Sequence, residues 1–230
     1  MNKVIQPKRL LNLDLVKIIA LLIMPFIHVF EEILITGDLS VGGLMGSDFP
    51  TIAVKYAMGI LYIFCPTVFL FCLGAGLALT RYNSPANLAR RGLFILALSG
   101  LLNIFRYFLP YLGAYLFFGN YNEWFIEFLR SFCYSDILYI AGFTFLLAAL
   151  AQKLKVHPTV VAFITIAMAL VQNFIPIPAD NSNTIVNAIL GNFIYVNDMS
   201  FFPLVSWLLF PVAGYHYQHY MFKAKSLDQY

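Results

Sequence analysis

Runs of almost uninterrupted apolar residues decide what this chain can become. Six stretches approach or exceed the ~20 residues that a helix needs to cross a bilayer. They are Leu13–Ile35, Ile52–Leu79, Gly92–Phe118, Phe132–Ala151, Thr159–Pro176 and Phe201–Phe222. Charged residues make up only 11% of the chain and hydrophobic ones 61%, against about 25% charged in soluble domains. The expected fold is therefore all-α: a polytopic helix bundle integral to a membrane, with about six transmembrane helices in one domain over residues 1–230. The second and third runs exceed one bilayer crossing, so they should tilt or kink, and Pro66 and Pro110 are the places to expect it.

Loop charges set the orientation. Lys3, Lys8, Arg9, Arg81, Arg90, Arg91, Lys153, Lys155, Lys223 and Lys225 fall on one side. The opposite loops hold Asp38, Asp48, Glu123, Glu127, Asp180 and Asp198, with Lys55 and Arg130 near span ends. By the positive-inside rule both termini are cytoplasmic. The net charge of +3 follows from this asymmetry, and no basic patch suits nucleic acid. Lys17 within the first run, Glu31 and Glu32 at its end, and five further runs argue against a cleaved signal peptide. The expected location is the plasma (inner) membrane of a bacterium. Cys65, Cys72 and Cys133 match no zinc or disulfide pattern, and inert core thiols are the simpler reading. The chain has no strong internal repeat.

The first run carries a polar stripe. Asp14, Lys17, His28, Glu31 and Glu32 interrupt it, and at ~100° per residue they fall within an arc of about 100°. Ionisable groups inside a membrane usually face a cavity, a partner or a substrate. Glu31 and Glu32 follow His28 by one turn, so either could hold one imidazole nitrogen and leave the other as a general base. A plain interhelical hydrogen bond is the structural alternative for His28. Asp14 and Lys17 can pair at i, i+3. Lys17 stands about 16 Å along the axis from His28, so it could hold an anion entering from the cytoplasm. Alternatively, it snorkels to headgroups.

Arg106 lies mid-run, where a cation needs a partner, and Asp136, Glu31 and Glu32 are the candidates. Local sequence favours Asp136 as a helix N-cap, and a structural ion pair is as good a reading of Arg106 as a substrate contact. Arg90 and Arg91 open the third run after the polar loop Tyr82–Ala89. There they could meet phosphates at a helix N-terminus, although positive-inside anchoring is the commoner role. His216 and His219 in YHYQHY lack a third ligand for a metal and suit an interfacial aromatic belt. His157, before Pro158, reads as solvated. The loop Ile177–Ser200 holds Asn181, Asn183, Asn187, Asn192 and Asn197 around the apolar stretch Ile185–Tyr195, the pattern of a short interfacial or re-entrant helix. Its amides could bind sugars, or serve turns and caps.

The segment RLLNLDLVKIIALLIMPFIH resembles the opening signature of a membrane acyltransferase superfamily. This group comprises the heparan-alpha-glucosaminide N-acetyltransferase catalytic-domain family and the acyltransferase family 3 proteins. Arg9, Leu13, Asp14 and His28 fit the signature, and Lys17 stands eleven residues before His28. Lys17–Ile18 replaces the arginine-glycine of the pattern, which keeps a charge but loses a planar bidentate donor. CPTVFLFCLGAGLALT, DILYIAGFTFLLAAL with Gly142, and SFFPLVSWLLFPVAGY resemble later segments of the family in order and spacing. Many relatives are longer, which leaves open a short form, a fragment or a member without activity.

The resemblance implies transfer of an acyl group, often acetyl from acetyl-CoA or another acyl-CoA, to a hydroxyl or amine of an extracytoplasmic sugar or glycan. It implies no tightly bound cofactor, and as partners the lipid bilayer and the glycan. A homodimer could complete the walls of the site, though no sequence feature demands one. In this reading His28, Glu32, Glu31 and Arg106 are catalytic, and Asp14, Lys17, Arg90, Arg91 and Asp136 bind substrate. One branch of the family uses a histidine after the first catalytic span, and Glu31–Pro50 contains none. A small proton-coupled transporter uses the same residue types, and a non-catalytic partner in polysaccharide assembly is a third reading.

Overall fold

A computed structural model of the chain describes residues 11–36, 49–79, 84–118, 134–175, 184–194 and 202–223. Every regular element among them is helical. In order they are α1 (Leu11–Thr36), α2 (Phe49–Leu79), α3 (Pro85–Asn103), a π-helical segment (Ile104–Phe108) and α4 (Leu109–Phe118). Then come α5 (Ile137–Lys153), α6 (Pro158–Val171), a 3₁₀ turn (Gln172–Phe174), α7 (Thr184–Phe193), α8 (Leu204–Trp207) and α9 (Leu209–Lys223).

Two stretches among the described residues are long and apolar enough to cross a membrane, Gly59–Leu79 and Pro85–Phe117. Ile137–Lys153 and Pro158–Phe174 are shorter apolar helices. The surface fits such a setting. Leu22, Phe26, Leu93, Phe94, Phe105, Phe163 and Leu170 are all exposed, in a pattern too continuous for a water-facing surface. Inside the helices, Thr67, Thr144 and Thr165 donate their hydroxyls to the carbonyls of Ile63, Ile140 and Val161, at 2.7, 2.8 and 2.8 Å. This satisfies a polar group where no water competes.

Helix boundaries differ from the apolar runs for identifiable reasons. α3 begins at Pro85 rather than Gly92, because the Ser84 hydroxyl accepts the Asn87 N–H at 3.2 Å and proline occupies the first turn. The polar stretch PANLARR is thus helical. Near Pro110, where a kink is expected, the helix changes form just before the proline. Proline has no N–H for the carbonyl four residues back, and the chain there is π-helical, with the Leu109 N–H meeting the Ile104 carbonyl. α2 and α1 run through Pro66 and Pro25. The last run divides into α8 and α9 at Leu208, where Pro211 withholds a donor from Trp207. α7 forms within the stretch 177–200, as its apolar core suggests.

The chain divides into two compact units, Met1–Leu73 and Gly74–Tyr230. In the first, Ala20, Ile27 and Cys65 form a buried cluster flanked by Ile23, Leu61 and Val68. Farther along α2, Cys72 lies in the electrostatic range of Asp14 and Lys17. Since Cys65 meets the middle of α1 and Cys72 its beginning, the two helices run antiparallel.

In the second unit α3 and α5 share the most extensive interface. Glycine makes it possible. A Cβ on Gly92 would stand 2.8 Å from the Gly142 carbonyl oxygen, and one on Gly142 would stand 2.6 Å from Leu96. Small residues permit this backbone approach, which is the usual basis of tight helix association in membranes. Gly74 similarly faces the Pro211 carbonyl with no room for a side chain.

Two alanine substitutions should therefore act in opposite senses. Gly92→Ala is expected to lower stability by about 1–3 kcal/mol, since the obstacle is backbone. At Gly100 an added methyl would meet nothing within 4 Å, so Gly100→Ala should leave stability unchanged or raise it by about 0.5–1 kcal/mol. Thermal unfolding of the two detergent-purified variants compares them directly, and equal shifts would refute the close crossing.

Candidate functional site

The stripe on α1 flanks the packed face of that helix. Ala20 and Ile27 are buried, Asp14 and Lys17 are half-buried, and His28 is exposed. Lys17 lies one turn before Ala20, and His28 follows Ile27, so both stand beside the seam with α2. The helix is continuous from Lys17 to His28, which keeps the two about 16 Å apart. Glu31 and Glu32 belong to the same helix, but their side chains lie outside the described residues. The expected hydrogen bond between His28 and a carboxylate thus also falls outside them.

The second unit holds a polar node where α3 meets the start of α5. Asp136 Oδ1 accepts the Tyr139 N–H at 3.0 Å and the Ser99 hydroxyl at 2.9 Å. The first bond is the N-cap that the sequence favours. The second ties the cap to the neighbouring helix. One turn beyond Ser99, the Asn103 amide donates to the Tyr134 carbonyl at 2.8 Å. Tyr134 stacks on Tyr107 with ring centroids 4.8 Å apart. Ser99, Asn103 and Ser135 are all buried.

Arg106 does not join this node as a partner of Asp136. It is exposed, within the π-helical segment, with its guanidinium carbon 5.2 Å from the Tyr107 ring centroid. A cation over an aromatic face is a favourable contact. Irregular helical turns of this kind are frequent near functional sites.

The other basic candidates are spread out. Arg90 and Arg91 are exposed and sit more than one turn inside α3, past the backbone donors that open a helix. They are therefore side-chain cations rather than parts of a helix-terminal phosphate site. His157 caps α6, its Nδ1 accepting the Thr159 N–H at 3.3 Å. His216 Nε2 stands 3.2 Å from the Pro158 carbonyl oxygen. Among the described residues no three of His, Cys, Asp and Glu gather as metal ligands.

Several buried polar residues escaped sequence reasoning, among them Ser99, Asn103 and Gln218. Ser99 and Asn103 lie four apart on one face of α3, a spacing that could have marked a polar seam within an apolar run. Gln218 is only 2% exposed, although its neighbours in YHYQHY suit an aromatic belt. Its Oε1 has no hydrogen-bond partner among the described residues. Nothing in the local sequence distinguishes it from a residue at the interface.

The node yields a stability prediction. Asp136→Ala removes both the cap and the acceptor for Ser99, and should lower stability by about 2 kcal/mol. Ser99→Ala should cost less, because Asp136 keeps its bond to Tyr139. If thermal unfolding ranks the two variants the other way, the shared role of Asp136 is wrong.

A family model described as heparan-alpha-glucosaminide N-acetyltransferase, catalytic, matches residues 9–229. The match takes in the α1 stripe and reaches into both compact units. No curated protein and no solved structure matches the chain.

Proposed function

This chain belongs to the heparan-alpha-glucosaminide N-acetyltransferase catalytic family, and from that membership we propose that it is a membrane-bound acyltransferase. Its donor is acetyl-CoA or another acyl-CoA as co-substrate, and its acceptor is a hydroxyl or amine of an extracytoplasmic sugar or glycan. The observation that carries this reading is the match over residues 9–229, which includes Arg9, Asp14, Lys17 and His28. The apolar helices are in keeping with it. We take residues 1–230 as one acyltransferase-like domain of about six spans, with cytoplasmic termini, in a bacterial plasma membrane.

In this mechanism His28, oriented by Glu31 or Glu32, takes the proton from the acceptor O–H or N–H. The acceptor atom forms a bond to the thioester carbonyl carbon. The negative charge that develops on the carbonyl oxygen needs a facing positive group or hydrogen-bond donor. Collapse breaks the C–S bond, and the departing thiolate receives the proton from His28. Lys17, with Asp14 beside it, holds the anionic donor. Asp136, whose Oδ1 serves the fold, could meet a substrate only through Oδ2.

Labelled acetyl-CoA supplied to membranes containing the native protein should give label in glycan. His28→Ala should lower that transfer by at least the ~10²-fold typical of losing a general base, with thermal stability unchanged. An alanine variant as active as the native protein would remove His28 from the chemistry. Uptake of solute into vesicles without any acyl donor would favour a carrier instead.

A further inference from the structure

The second unit contains a cavity of about 430 Å³ that the acyl-transfer reading does not use. This is a size typical of small-molecule sites. It lies between the ends of α2 and α5, the first turns of α3 and α6, and one face of α9. Its deeper wall includes Leu77, Leu88, Leu208 and Pro211, all buried. Thr144 and Thr165 also line it, but both hydroxyls are committed to carbonyls of their own helices. Gln152 and Tyr215 add two further polar side chains to the lining, and the rest of the wall is apolar apart from the mouth.

The mouth has a different chemistry. Lys155 and His157 line the cavity and are exposed, and His216 lines it half-buried. No carboxylate is among the lining residues. The turn between α5 and α6 places these groups. Val156 N–H bonds the Ala151 carbonyl at 2.9 Å and Lys155 N–H bonds the Gln152 carbonyl at 3.1 Å, which is the Schellman pattern of a helix end. Its left-handed position normally holds glycine, yet here it holds Lys155 with φ 54°. A lysine in that conformation is strained, and what the strain retains at this point is a cation on the rim of an apolar hole.

We propose that this cavity binds a single-chain lipid anion, a long-chain fatty acid, with its hydrocarbon in the apolar interior and its carboxylate at Lys155. The interior disfavours groups that need hydrogen bonds, and the cationic rim, with no carboxylate among its described lining residues, selects a negative head. This assignment stands independently of the acyl-transfer reading and would survive its failure.

The test is photolabelling in phosphatidylcholine nanodiscs with a diazirine-bearing palmitic acid, the adducts being located by peptide mass spectrometry. Adducts should map to the lining segments of α5, α6 and α9, and excess palmitic acid should abolish them. Ala148→Trp fills the cavity and should remove that labelling. Lys155→Gly removes the charge and the strained backbone together. It should weaken palmitate competition by up to about fivefold, as expected for one exposed ion pair, while thermal stability is kept or raised. The glycine variant keeps the proposal testable if the tryptophan variant fails to fold. Labelling confined to outward-facing side chains, or unchanged in either folded variant, would overturn the proposal. So would competition by palmitoyl-CoA but not by palmitic acid, which would give the cavity to the acyl donor.

Discussion

The close crossing of α3 and α5 organises the second unit. Gly92 and Gly142 let the two backbones meet. In an apolar solvent this matters more than side-chain burial, because lipid tails compete equally well for leucine and phenylalanine. Helices that cannot gain by hiding hydrocarbon gain by fitting backbone to backbone and by joining polar groups. The same pair of helices does both. The glycine contact lies toward one end of the crossing, and the Ser99–Asp136 hydrogen bond ties the helices farther along α3. The first suits only small residues and the second only a donor opposite an acceptor, so together they set separation and register.

Much of this was legible in the sequence because helices in apolar runs depend on local information. The start of α5 followed from Ser135–Asp136, and α7 followed from an apolar stretch among asparagines. The start of α3 was misplaced because PANLARR looks polar. The signal that matters there is Ser84 before Pro85, a cap and a first-turn proline. The π-helical segment before Pro110 shows the same limit. Proline announces a missing donor, but it does not say whether the helix bends, breaks or widens by one residue.

What could not be read was tertiary. Arg106 and Asp136 looked complementary as isolated charges in apolar runs. In the fold, Asp136 meets a serine hydroxyl and a backbone N–H, and Arg106 lies over a tyrosine. Lys155 gave no warning either, since a left-handed helix end is expected at glycine, and only the backbone reveals it. Gln218 looked like a belt residue and is buried. In each case the missing fact was which neighbour a side chain meets, and sequence spacing along one helix does not contain it.

The two units thus use polar residues differently. In the second, Ser99, Asn103, Asp136, Thr144 and Thr165 all have hydrogen-bond partners within the protein, and each of those bonds shapes a helix end, a helix interior or a crossing. Atoms engaged in this way are poor candidates for substrate contacts, because a ligand would have to replace a bond that the fold needs. The α1 stripe has a different character. Its described members, Asp14, Lys17 and His28, stand beside the packed seam and extend over several turns of α1. The proposed chemistry rests on the coincidence of this stripe with the family match. A general base gains its advantage only when its position is held. If His28 is the base proposed above, the Ala20, Ile27 and Cys65 cluster is what would hold it, because it packs α1 against α2 beside His28.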